Sequence, residues 1–139
     1  MIYEVENLPK KLTLDLLDRA MAFASDFLEL DVDLLVSFQS LKKHQCGFCD
    51  YSNDCDYDED ETVITIARRL DTHEIIRTLF HELVHVKQYV DGRLEHVGVW
   101  LGQKYDCSYS NLPWEQEAYH LEQVMMKKFA KEYKLWRLK

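Results

Sequence analysis

The residues best equipped for chemistry are His81-Glu82-Leu83-Val84-His85. They fall in a stretch with helical periodicity, where positions i and i+4 share one face about a turn apart, so two imidazoles can grip one metal ion. Zinc suits such a pair, and Glu82 between them can reach a metal-bound water as general base. An exposed helix that merely shows His and Glu to solvent is the plain alternative. The flanking sequence favours the metal site.

A catalytic zinc needs three protein ligands and one open position. Downstream, Pro113-Trp114-Glu115-Gln116-Glu117-Ala118-Tyr119 offers two carboxylates. On a helix Glu115 and Glu117 are roughly 200° apart, so they cannot face one metal together. With an apolar stripe through Trp114, Ala118, Leu121, Met125, Phe129 and Trp136, Glu115 falls about 60° from Ala118 on the Glu122 side, and Glu117 about 100° away on the other. Glu115 is the expected third ligand: a carboxylate near the packed face requires a partner, and the first turn of a helix favours an anion. Glu117 and His120 stay open as alternatives, and a plain acidic first turn would account for Glu115 without a metal.

The elements that must position these groups read in the order helix, three strands, helix, connection, helix. Thr13 is the expected N-cap of a helix to about Leu28, with Leu14, Leu17, Ala20, Met21, Ala24 and Phe27 on one side. Residues 33–38 and 47–51 read as strands, and Thr62–Ala67, rich in β-branched side chains, is the best strand in the chain. Asp71 with Glu74 three residues on opens the helix that carries the two histidines, and Asp91-Gly92 stops it after about Val90. Residues 93–113 form a long connection, and a last helix runs from about Trp114 to Trp136. The expected fold class is α+β: an N-terminal helix, a three-stranded sheet, the motif helix and a C-terminal glutamate helix, in a single domain over residues 1–139.

Composition narrows the classes of partner. A chain of 139 residues with 47% hydrophobic residues, only 4 Gly and 2 Pro can bury a real core. A net charge of −8 disfavours nucleic acid as a partner. The locally basic end (Lys127, Lys128, Lys131, Lys134, Arg137, Lys139) reads as a solvated helix face. No apolar run approaches the ~18 residues that span a bilayer. The N-terminus lacks a basic segment followed by an apolar one, so a cytoplasmic location is expected and a membrane partner is not. Cys46-Gly47-Phe48-Cys49 can present two thiolates to one zinc, with Cys55 and either Cys107 or His44 completing a second, structural site; free thiols are the alternative. Asp54, Asp56, Asp58 and Asp60 alternate as in a calcium loop but lack its glycine and its terminal glutamate.

On these motifs, over roughly residues 62–125, the chain resembles the gluzincin metallopeptidases, in which His-Glu-x-x-His is followed by a glutamate on a second helix. Glu115-Gln116-Glu117-Ala118-Tyr119 is similar to the family's Glu-x-x-Ala-Asp, with Tyr119 in place of the acid that can orient a ligating histidine. The short chain looks most like the small single-domain gluzincins (minigluzincins) and loosely like SprT-like proteases. With Gln at position 88 and Gly92 offset, the metzincin spacing is absent. The resemblance implies a zincin-like domain that hydrolyses peptide bonds in a peptide or protein substrate, with zinc on His81, His85 and Glu115 and Glu82 as base. It also implies an edge strand beside the cleft, for which Thr62–Ala67 is the candidate; an ordinary sheet strand is the equal alternative for that segment. Tyr105, Tyr109, His96 and Tyr119 are the open choices for stabilising an oxyanion. A noncatalytic zinc-bound domain that recognises a peptide or protein is the other reading.

Overall fold

A computed structural model describes residues 1–51, 62–95 and 98–133. Thr13 caps α1 (Leu14–Leu28), its side chain accepting from the Leu16 amide at 3.2 Å. Asp71 does the same for α2 (Thr72–Val90), accepting from the Glu74 amide at 2.8 Å, and Gly92 (φ 74°) follows its C-cap Asp91. These two helices fall where their caps and periodicity place them. Leu14 is a departure: it is exposed rather than packed. The last helix, α3, spans Pro113–Tyr133; the predicted end at Trp136 lies outside the described residues.

The main sheet has four strands rather than three, in the order β1-β2-β4-β3. The additional strand, β1 (Tyr3–Glu6), pairs in parallel with β2 (Leu34–Gln39), which pairs in parallel with β4 (Thr62–Ala67). β3 (Gly47–Asp50) runs antiparallel to β4 and forms the edge. Thr62–Ala67 is therefore interior, hydrogen-bonded on both sides, and the expected edge role passes to β3. The buried pattern of β4 agrees: Ile64, Ile66 and Ala67 are fully enclosed. The connection 93–113 holds a small second sheet of three two-residue strands, β5 (Leu94–Glu95), β6 (Val99–Trp100) and β7 (Gln103–Lys104), and one 3-10 turn, Tyr109–Asn111.

The helices meet through aromatic rings. Phe80 of α2 packs edge-to-face on Phe129 of α3 at 5.6 Å, and Phe23 of α1 lies 5.6 Å from Phe80 and 5.5 Å from Phe129. Phe80 and Phe129 are fully buried. Such a cluster fixes rotation as well as separation, because large rings interlock rather than slide. Phe80 immediately precedes His81, so the packing that anchors it also sets where the histidine face of α2 meets α3. A second, smaller core of Leu94, Trp100 and Trp114 joins β5 and β6 to the start of α3. The overall class is mixed α+β. No helix among the described residues is long and apolar enough to cross a membrane.

Candidate metal centre

His81 and His85 project from one face of α2 toward the first turn of α3, where Glu115 is buried. One Glu115 oxygen, Oε1, lies 3.0 Å from His81 Nε2 and 3.1 Å from His85 Nε2. A ligand atom from each of the three residues can be chosen so that all lie within 4.8 Å of one another. Among the described residues this is the one group of three His, Cys, Asp or Glu donors so arranged. It unites the three residues that helical spacing and the apolar stripe select from the sequence.

Each ring is held from behind. His81 Nδ1 lies 3.0 Å from Glu122 Oε1, and an ionised carboxylate only accepts, so the proton sits on Nδ1. Arg77 Nε stands 3.6 Å from the other Glu122 oxygen. His85 Nδ1 lies 2.8 Å from Gln88 Oε1. The Gln88 amide is oriented by its nitrogen, which donates to the Trp114 carbonyl at 3.0 Å and to Glu117 Oε1 at 3.1 Å, so its oxygen must face the ring. Glu117 is in turn held by Arg93 at 2.8 and 2.9 Å, and Arg93 lies over the Trp100 ring at 5.2 Å. Both imidazoles thus commit Nδ1 to a partner behind the ring and turn Nε2 toward Glu115, as an N–H when protonated and as a donor atom when a metal is bound. Two imidazole Nε2 atoms and a carboxylate that converge in this way can hold a metal ion, and two histidines with one carboxylate suit zinc in number and type.

The protonation energetics show the same demand. Burial opposes charge on His81, yet hydrogen bonds donated to Glu115 and Glu122 outweigh it and hold the imidazolium to about 9. His85 moves the same way: burial opposes, and Glu115 and Glu82 prevail. For Glu115 burial also works against charge, but the two histidines pull its carboxyl down to about 2. Protons thus take the cation's place when no metal is bound. Glu82 is buried beside this group, and burial pushes its carboxyl up against the opposing pull of both histidines.

The floor of the cleft is α2, and the cleft encloses about 730 Å³. One wall is residues 44–49 with β3, and the other is the 3-10 turn and α3. Gly47 presses on α2: a Cβ there would lie 2.6 Å from the Thr65 carbonyl oxygen and 2.8 Å from Thr78 Cγ2. Farther along the strand, burial and then the Glu82 charge push the Cys49 thiol up, which keeps it neutral and weakly nucleophilic.

The other candidates separate clearly. Glu117 is engaged by Arg93 and Gln88, and His120 is exposed, so neither joins the donor group. Tyr109 and Tyr119 line the cleft, and Tyr119 lies against His81 with ring centroids 4.7 Å apart. Burial and the Glu115 carboxylate push the Tyr109 phenol up, so it stays a donor at neutral pH. Tyr105 packs on Trp114 in the smaller core instead. His96, Cys55 and the aspartates of the acidic run lie outside the described residues. Cys46 and Cys49 line the cleft wall and Cys107 is exposed; with each other and with His44 they form no three-donor group among the described residues. The expected cysteine site includes Cys55 and so lies partly outside the described residues.

Sequence reasoning passed over Glu122, Gln88, Arg77 and Arg93. Two of these had a signal. Glu122 is seven residues after Glu115 and Gln88 seven after His81, two turns along the same helix face. No family model, no curated protein and no solved structure matches the chain.

Proposed function

We propose that the chain is a zinc-dependent peptide hydrolase with a zincin-like layout. The carrying observation is the convergence of two pre-oriented Nε2 atoms and the Glu115 carboxylate beside Glu82, on the floor of an open cleft. Bound zinc would acidify a water and polarise a carbonyl. Glu82 would take the proton released as the nucleophile forms and hand it to the departing amine. Its raised carboxyl suits that task, because a base that works near neutrality must be willing to hold a proton briefly. Tyr109 and Tyr119 are the donors placed to meet a developing oxyanion.

The edge strand supports a peptide as substrate. Among the described residues β3 pairs with β4 on one side only, and residues 44–49 wall the cleft with the other side turned to where a strand could add. Replacement of Glu82 by Gln tests the reading. The variant should hold zinc as tightly as the parent and lose about 10²–10⁴-fold in peptide cleavage. Equal cleavage by E82Q would remove the assigned base. A zinc-replete parent that binds peptides but cuts none would leave a zinc-held peptide-recognition domain.

A further inference from the structure

The cleft has a direction, and its two ends differ. β3 and α2 run past each other in the same sense: Gly47 lies on Thr78, Cys49 lies near enough to Glu82 to feel its charge, and Tyr51, just beyond the strand, stacks on Tyr89 at 5.1 Å. A peptide added antiparallel to β3, the commoner sense of pairing, would therefore travel from the Tyr89 end toward the Arg77 end. The upstream end is apolar, with Tyr89, Leu94 and Trp114 in its walls. At the downstream end stands Arg77, the one Lys or Arg that lines the cleft among the described residues.

Arg77 precedes His81 by one helical turn, about 6 Å along the axis, and two residues of extended chain span about 7 Å. Its side chain is 47% exposed, and its contact with Glu122 uses Nε at 3.6 Å. The Nη edge of the guanidinium is left to offer two parallel donors, the geometry that a carboxylate fits. Resting on the hydrolase reading above, we propose that Arg77 is a specificity-determining residue that binds a carboxylate one or two residues beyond the scissile bond. The favoured substrates are peptides that end there with a free terminus or carry Asp or Glu there.

The test separates recognition from turnover. The zinc-saturated E82Q protein is titrated with three sets of tetrapeptides: free acids, C-terminal amides, and amides with Asp as the last residue. Expected is tighter binding of the acids or of the Asp amides, on the order of tenfold over plain amides. An advantage of the acids alone assigns a terminal carboxylate, and of the Asp amides a side chain. Adding R77Q should erase the preference and R77K retain part of it, with zinc content checked in each because Arg77 also touches Glu122. Equal binding of all three sets, a preference untouched by R77Q, or no binding at all overturns the proposal. If the parent cleaves none of these peptides while the preference persists, the hydrolase reading fails and the Arg77 site stands.

Discussion

Replacing Gln88 with leucine tests the claim that the second histidine is aimed by an amide rather than by packing. Gln88 is fully buried, and leucine is close to it in size, so the substitution removes polarity more than volume. Three hydrogen bonds disappear: to His85 at 2.8 Å, Trp114 at 3.0 Å and Glu117 at 3.1 Å. Two of the former partners have other support. The Trp114 carbonyl lies in the first turn of α3, where the helix supplies an amide, and Glu117 keeps Arg93 at 2.8 Å. The stranded group is His85 Nδ1–H, and an unsatisfied buried donor costs about 1–3 kcal/mol. The ring can avoid that cost by giving up its Nδ1 proton and keeping the Nε2 proton that donates to Glu115, but this tautomer occupies the atom that must ligate. Zinc affinity should therefore fall roughly 10–100-fold, while the metal-free protein loses no more than about 1–3 kcal/mol. Chelator competition gives the first quantity and urea unfolding of the metal-free protein the second. Nitrogen-15 shifts of the imidazole report the tautomer directly. Zinc affinity within twofold of the parent, with His85 still protonated on Nδ1, would refute the reasoning.

Three further outcomes are expected. Without metal, Glu115 (down to about 2 from an ordinary 4.5) stabilises the fold fully above pH 4.5 and loses this as pH falls through 2, whereas His81 (up to about 9 from 6.5) stabilises it fully below pH 6.5 and loses this as pH rises through 9. Urea midpoints of chelator-treated protein should fall between pH 6.5 and 9 and zinc should remove that fall; likewise, zinc uptake at pH 7 should release at least one proton, seen as a buffer-dependent heat in calorimetry, and a heat independent of buffer would contradict it. Substituting Gly47 with alanine should destabilise the fold by about 1–3 kcal/mol in urea, because the added methyl meets the interior strand's backbone at Thr65 (2.6 Å) and β3 must shift off α2; unchanged stability would show that the two do not press together there.

What the sequence disclosed, and what it withheld, follows from the range of the interactions. Thr13 and Asp71 cap their helices through amides three residues away, and the His81–His85 pair is one turn of a single helix, so these features are written locally. Strand β1 is four residues with alternating acids, Glu4 and Glu6, and its reason for being a strand is a partner segment about thirty residues on. Whether Thr62–Ala67 is edge or interior depends on where residues 47–50 pair, which no property of the hexapeptide records. Glu115 is intermediate: its helix face is local, but its meeting with two histidines 30 and 34 residues earlier depends on the contact of Phe80 with Phe129.

The same dependence bears on Tyr119, where the sequence differs from the gluzincin motif that Glu115–Ala118 resembles. The family's acid would stand at position 119, four residues after Glu115, and here that position is Tyr119, whose ring lies against His81 instead. An acid supplied by the next turn must begin farther along α3, so it needs a longer side chain to reach Nδ1 of the same ring. Glu122 meets both conditions: it lies on the same face as Glu115, within about 20° on a regular helix, and it contacts His81 at 3.0 Å. Position 119 is thereby released from orienting the ligand, and a tyrosine there can face the cleft as a neutral donor. The carboxylate behind His81 thus comes from three residues beyond Tyr119, and its spacing from Glu115 is legible once the helix face, rather than the motif, is read.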